Sequence, residues 1–131
     1  MIALLITPRD NKTVFLPGEE VAGFVSWSLD SSPEALELRL FWYTEGRGIS
    51  DTGIGGNLRF ENPDRDGRRE FCFILPDAPY SFTGTLITLK WALELVVEPG
   101  HAVERLDIVV SPSGREIVLQ RLKPRPQIRI D

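Results

Sequence analysis

The sequence is poor in the residues that build metal and catalytic sites. Its 131 residues include one cysteine, Cys72, and one histidine, His101. One cysteine cannot close an internal disulfide, and one Cys with one His cannot supply the four ligands of a structural zinc site. No apolar run approaches the roughly 18 residues of a membrane span, and the first 30 residues lack a signal-peptide pattern. We therefore expect a cytoplasmic protein that has no membrane span and no cofactor.

Positive charge is also scarce and unevenly placed. Fifteen basic residues against nineteen acidic ones give a net charge of −4, which disfavours a nucleic-acid partner. Up to Gly114 there are ten basic and seventeen acidic residues, whereas 115–131 hold five and two. A chain of this length and 42% hydrophobic content can bury one core without disulfides. The sequence predicts one domain at 1–114 and a basic extension at 115–131.

Apolar and polar residues alternate with period two along most of the chain, which indicates β-strands. The clearest runs are 20–29, 35–44 and 85–97, each with aliphatic residues and one tryptophan on a single face. Shorter runs at 2–7, 13–16, 69–75, 104–111 and 116–122 bring the expected total to seven or eight strands.

Turn residues separate these runs. Pro17 and Gly18 occupy the second and third positions of a predicted type II turn, which needs a fixed φ followed by a positive φ. Residues 46–56 are rich in glycine and are interpreted as a flexible loop, because they lack the Gly-Lys-Ser/Thr element of a phosphate loop. Residues 64–67 resemble part of a calcium loop but lack its distal glutamate, so we interpret them as a hairpin turn.

Three stretches resemble arrestin-like domains. Residues 15–25 (FLPGEEVAGFV) show an aromatic residue, a PGE turn and a Val-x-Gly-x-Val strand. Residues 79–94 are similar to the Pro-x-Ser-Phe-x-Gly turn and long strand of that family, and 41–48 resemble its strand followed by a glycine turn. The resemblance covers roughly residues 2–111. It implies an all-β fold, a two-sheet antiparallel immunoglobulin-like or arrestin-like β-sandwich, and a non-catalytic adaptor or scaffold that binds proteins.

The isolated reactive side chains favour structural roles. His101 follows Pro99-Gly100 and is interpreted as a solvated loop residue. Cys72 lies in a predicted strand without an adjacent Lys or His, and we expect it to be buried and unreactive. Sequence alone does not show whether Asp10, Glu45 and Asp51 converge, so it assigns no acid–base pair.

The aromatic residues divide between the two faces of their strands. Trp27, Trp42 and Trp91 fall on the inward face, which favours core packing over a sugar-stacking platform. Phe24, Phe41 and Tyr43 fall on the outward face. They form a candidate partner surface if neighbouring strands expose them together, or they are covered by the C-terminal segment or a loop.

The basic extension is the second candidate interaction element. Alternation of Ile128 and Ile130 predicts a strand that pairs with a sheet edge of the same chain, of another copy or of a partner protein. Its candidate contact residues are Arg121, Lys123, Arg125, Ile128 and Ile130.

Three classes of function remain open. The sequence favours a protein-binding module that can form a dimer through a sheet edge or the C-terminal arm. The alternative is a small-molecule or glycan-binding module that uses the loops around Arg47 and Asp51. A hydrolase would need two carboxylates close together in a cleft.

Overall fold

The computed structural model describes residues 2–46, 50–84, 86–100, 102–113 and 117–118. These residues form ten β-strands and one 3₁₀ turn at Arg9–Asn11. The strands are β1 (Ala3–Pro8), β2 (Val14–Phe15), β3 (Glu20–Ser28), β4 (Ala35–Gly46), β5 (Thr52–Glu61), β6 (Asp66–Ile74), β7 (Phe82–Thr83), β8 (Ile87–Glu98), β9 (Val103–Val110) and β10 (Ile117–Val118). No helix in the described residues is long and apolar enough to cross a membrane.

The strands form two sheets that pack face to face. The smaller sheet has the order β1-β3-β6. In the larger sheet β4 lies between β5 and β8, and the other edge of β8 is shared by β7 and β9. The long neighbours are antiparallel, while the two-residue strands β2 and β10 pair in parallel with β9 and β7. The predicted all-β, two-sheet sandwich is confirmed.

The core lies where the sequence pattern places it. The inward positions of β3, β4 and β8 include the most completely buried aliphatic side chains of the molecule, and Trp91 is fully buried among them. Trp27 is 5% exposed and Trp42 is half-buried against the same cluster. The three tryptophans therefore pack into the core and do not form an exposed platform. The Nε1 groups of Trp27 and Trp91 donate to the backbone oxygens of Asp64 and Pro79, at 2.8 and 2.9 Å.

The interpretation of residues 46–56 as a flexible loop is wrong for 52–56, because β5 begins at Thr52. The glycines of β5 make room for aromatic side chains. A Cβ atom on Gly53 would overlap the Trp42 indole, and one on Gly55 or Gly56 would lie 2.8 Å from Trp91 or Phe73. Glycine is used here because a side chain would collide with the core, whereas in loops it is used for its conformational freedom.

Two further expectations fail because they depend on strand partners. Residues 64–67 do not form a hairpin turn, since β6 begins at Asp66 and pairs with β3, while β5 pairs with β4 in the other sheet. Cys72 is exposed, because the neighbouring Phe71 and Phe73 take the inward positions of β6. Partial desolvation, followed by the Glu20 side chain, raises the pKa of the Cys72 thiol. The thiol is therefore protonated at neutral pH and is a weak nucleophile.

The predicted PGE turn is confirmed. Gly18 has a φ of 78°, and the Glu19 N–H donates to the Leu16 carbonyl at 3.1 Å. The Glu19 carboxylate accepts the Leu16 N–H at 2.8 Å and pairs with Lys12. The hydrogen bond to Lys12, followed by the one from Leu16, lowers the pKa of Glu19 below its ordinary 4.5.

We expect Glu19→Gln to lower the free energy of unfolding by about 1 kcal/mol at pH 7, because it removes the charge that receives both hydrogen bonds. The folded-state pKa of Glu19 is depressed, so its contribution is complete above pH 4.5 and is lost as the pH falls through the folded-state value. Urea denaturation at pH 7 and at pH 3 should show the difference between the two proteins shrinking in acid. Glu20→Gln is the control, since the contact of Glu20 with Arg9 is exposed and, at 3.4 Å, long. Equal loss in both variants would contradict the role of Glu19.

Candidate functional site

The outer face of the larger sheet carries two adjacent aromatic side chains. Phe41 and Tyr43 are two residues apart on β4, so they point to the same side, away from the core. Their ring centroids are 5.7 Å apart and both side chains are half-buried. Ala92 of β8 lies beside Phe41 in the register and is fully buried although it faces outward. The pair therefore packs closely against the sheet surface.

Arg105 of β9 completes this group. Its guanidinium lies 5.3 Å from the Phe41 ring centroid and 5.1 Å from that of Tyr43. Glu94 of β8, its cross-strand neighbour, holds it through hydrogen bonds of 2.8 and 3.2 Å. The hydrogen bond with Glu94 is also the main reason that the pKa of Arg105 is raised. The cation is thus fixed over both rings by cation–π contacts and an ion pair.

An open depression of about 590 Å³ adjoins this group. Ile54 of β5 forms part of its wall, and 73% of that residue is exposed. Its lining comprises Arg39, Phe41, Thr52, Gly53, Ile54, Glu94 and Arg105. We call Phe41, Tyr43, Ile54, Glu94 and Arg105 the aromatic–arginine face. It offers apolar contact area next to a fixed positive charge.

Ion pairs occupy the rest of the outer surface. Arg59 of β5 contacts Glu61 and Glu98 at 2.5 Å each, and Glu37 at 3.6 Å. Arg39 contacts Glu37 at 2.8 Å, and this hydrogen bond is the main cause that lowers the pKa of Glu37. These carboxylates are paired with arginines, which suits a binding or structural role better than proton transfer.

The structure separates the predicted aromatic surface residues into two groups. Phe41 and Tyr43 lie together on β4, whereas Phe24 lies on β3 in the smaller sheet and on its opposite outer face. There the Arg68 guanidinium lies 3.6 Å from the Phe24 ring centroid, beside a second depression of about 640 Å³. The candidate surface therefore contains Phe41 and Tyr43 without Phe24.

Sequence reasoning missed Ile54, Glu94 and Arg105 as members of this face. Ile54 fell within the stretch interpreted as a loop. Glu94 and Arg105 lay in predicted strands, but no local pattern shows that they are cross-strand neighbours. The sequence did place an outward Glu on one predicted strand and an outward Arg on the next. This pattern identifies an ion pair only when the register of the two strands is known.

Several predicted positions lie outside the described residues. These are His101, Arg47 and the C-terminal positions Arg121, Lys123, Arg125, Ile128 and Ile130. Of the other ligand-binding candidates, Asp51 accepts the Thr52 N–H at 2.9 Å and takes part in local loop structure. Within the described ranges there is no group of three or more His, Cys, Asp or Glu residues that could hold a metal ion.

Comparison with known proteins supports the fold. The chain is similar to the solved structure of Spo0M, a sporulation control protein from Bacillus subtilis, with a TM-score of 0.56 and 18% identity over 83% of this chain. The fold is an arrestin-like β-sandwich. The chain spans 48% of the length of that protein. No protein-family model and no curated protein match the sequence.

Proposed function

We propose that this chain is a non-catalytic, cytoplasmic protein-interaction module of the adaptor or scaffold type. In this proposal a partner protein binds to the aromatic–arginine face. The observation that carries the proposal is the placement of Arg105 over both Phe41 and Tyr43 at the edge of an open depression. The arrestin-like fold supports a role in interaction, and the single cysteine of the sequence supports a reducing compartment.

The energetics of protein interfaces support this choice of surface. Aromatic residues and arginine are enriched among residues that dominate binding energy. Arg105 is already held by Glu94, so a partner that stacks on it need not restrain a freely rotating side chain. The neighbouring depression can receive one apolar side chain of the partner against Ile54, where it would be shielded from water.

The test is capture from the native source with a photo-crosslinker placed at Thr52, on the rim of the depression. We expect one specific protein, distinct from this chain, to be captured, and Phe41→Ser with Tyr43→Ser to weaken its binding at least tenfold. The matched control is Phe24→Ser, which removes an aromatic ring from the opposite face and should leave binding unchanged. Circular dichroism and thermal melting establish that each variant is folded.

Other outcomes would redirect the assignment. Unchanged capture in the Phe41 and Tyr43 double variant would reject this face as the partner surface. The depression of about 590 Å³ also falls within the size range of small-ligand sites. Saturable thermal stabilisation by a sugar or nucleotide, lost in Arg105→Gln and without protein capture, would favour the small-molecule or glycan-binding alternative.

A further inference from the structure

β5 is a long edge strand whose first seven residues carry little of the usual protection against pairing. It has ten residues and, within the described ranges, pairs only with β4. The seven residues from Thr52 to Leu58 include no charge and no proline. Edge strands are normally protected by charges, prolines, β-bulges or a covering segment, because their free N–H and C=O groups can pair with another strand. One such device is present, a β-bulge at Gly55.

The other edges are better protected. The free edge of β6 begins with Asp66 and carries Arg68, Arg69 and Glu70, while the free part of β9 carries Glu104, Arg105 and Asp107. The uncharged strand β1 packs against β9 of the other sheet and ends at Pro8, which has no N–H group. The uncharged half of β5 therefore stands out among the long edges.

We infer that β5 pairs antiparallel with β5 of a second copy of this chain, about a twofold axis between Gly55 and Gly56. The inference extends the proposed function by naming a second copy as a partner, and it uses the sheet edge in addition to the aromatic–arginine face. In this register Thr52 lies opposite Arg59, Gly53 opposite Leu58, and Ile54 opposite Asn57 of the second copy.

The side-chain pattern of β5 is self-complementary in this register. Thr52 and Ile54 face outward beside Tyr43 and Phe41, and beyond the bulge Asn57 and Arg59 face outward beside Arg39 and Glu37. Gly53 and Leu58 face inward beside Trp42 and Leu38. Every opposed pair then combines two outward or two inward residues, as an antiparallel sheet requires. Arg59 meets a neutral threonine, so no like charges oppose one another.

The inward-facing residues of β5 explain why a second copy fits this edge. The Trp42 indole occupies the space that a side chain on Gly53 would fill, so it reaches towards the free edge. Trp42 and Leu58 are both half-buried although they face the core. Pairing places Leu58 of the second copy beside Gly53, where it would contact Trp42 and cover apolar surface on both molecules. Because the axis is perpendicular to the sheet, the two aromatic–arginine faces would lie on the same side of one continuous sheet.

The first test is the solution mass of the full chain, measured by sedimentation from about 1 μM to about 1 mM. We expect a concentration-dependent dimer, and a dissociation constant at least tenfold higher in Ile54→Lys, because a lysine would stand near the axis. Ile54 is largely exposed, so this change should not unfold the chain. The matched control is Ile74→Lys, an equally drastic change at an exposed position on the charged edge of β6, and it should dimerise normally.

The second test fixes the register by disulfide formation in a Cys72→Ser background. Ile54→Cys with Asn57→Cys should give a covalent dimer under mild oxidation. Within one strand these positions are about 10 Å apart, too far for a bond, whereas in the dimer they are directly opposed. Ile54→Cys with Glu61→Cys should remain mostly uncrosslinked. This test remains decisive if Ile54→Lys fails to fold.

Three results would overturn the inference: a monomer at every concentration, a dimer equally stable in Ile54→Lys, or crosslinking in the off-register pair alone. A chain that dimerises only after removal of 119–131 would show that its own C-terminal segment covers β5. That result would assign the edge to the segment instead of to a second copy. Loss of partner capture by the Phe41 and Tyr43 variant is independent of these outcomes, so the two proposals can fail separately.

Discussion

Replacing Trp91 by alanine should lower the free energy of unfolding by about 3–5 kcal/mol, which is the usual cost of removing a large buried aromatic side chain. Trp91 is fully buried at the centre of β8, between β4 and β9. Its removal leaves a cavity and also leaves the Pro79 carbonyl without the hydrogen bond that it now accepts at 2.9 Å. Denaturant titration followed by far-UV circular dichroism measures the loss without depending on tryptophan fluorescence.

Two variants separate the contributions that burial and the N–H donor of Trp91 make to the free energy of unfolding. Trp91→Phe keeps most of the apolar volume and removes the N–H donor, so its cost should be clearly smaller. Trp42→Ala removes an indole that is only half-buried and should also cost less. A loss of less than about 1 kcal/mol in Trp91→Ala would contradict the placement of this residue in a close-packed core.

Gly55→Val should destabilise the fold by about 2–3 kcal/mol through overpacking. A Cβ at this position lies 2.8 Å from the Trp91 ring and 3.3 Å from a methyl carbon of Leu40, and both side chains are fully buried. The same substitution should cost less in the Trp91→Ala background, because the indole that it meets is gone. A double-mutant cycle from denaturation midpoints measures this coupling.

The control for Gly55→Val is Asn57→Val, two residues along the same strand at an exposed position. Valine favours strands but removes the side-chain hydrogen bond between Asn57 and Glu37, so this change should cost no more than about 1 kcal/mol. A flexible glycine loop would tolerate valine at both positions. Equal tolerance at 55 and 57 would therefore contradict the assignment of these residues to β5.

The pattern of each strand could be predicted because it is local. The alternation correctly places three side chains of β3 in the protein core, those of Val21, Val25 and Trp27. It does the same for Leu36, Leu38 and Leu40 of β4. The turn at Pro17-Gly18 follows from the φ angles that these two residues favour. The resemblance to arrestin-like domains pointed to the same fold, which the comparison with Spo0M supports.

The candidate site was predicted only in part, because its residues come from four strands. Phe41 and Tyr43 were found from their outward positions, but Glu94 and Arg105 meet them only through the pairing of β4 with β8 and of β8 with β9. Phe24 has the same outward position as Phe41 on its own strand and lies on the other sheet. Cys72 was misplaced although it alternates with Phe71 and Phe73, whose side chains take the inward positions of β6 and leave Cys72 exposed.

The sequence by itself determined that the chain is all-β, which side chains of its long strands enter the core, and that catalytic and metal-binding residues are scarce. These properties depend on composition and on a two-residue period, and both can be read along a single strand. Tertiary structure alone decided which strands are neighbours, why β5 contains three glycines, and where a fixed arginine covers two aromatic rings. Such features depend on strand register and sheet order, which are set by contacts between residues far apart in the chain.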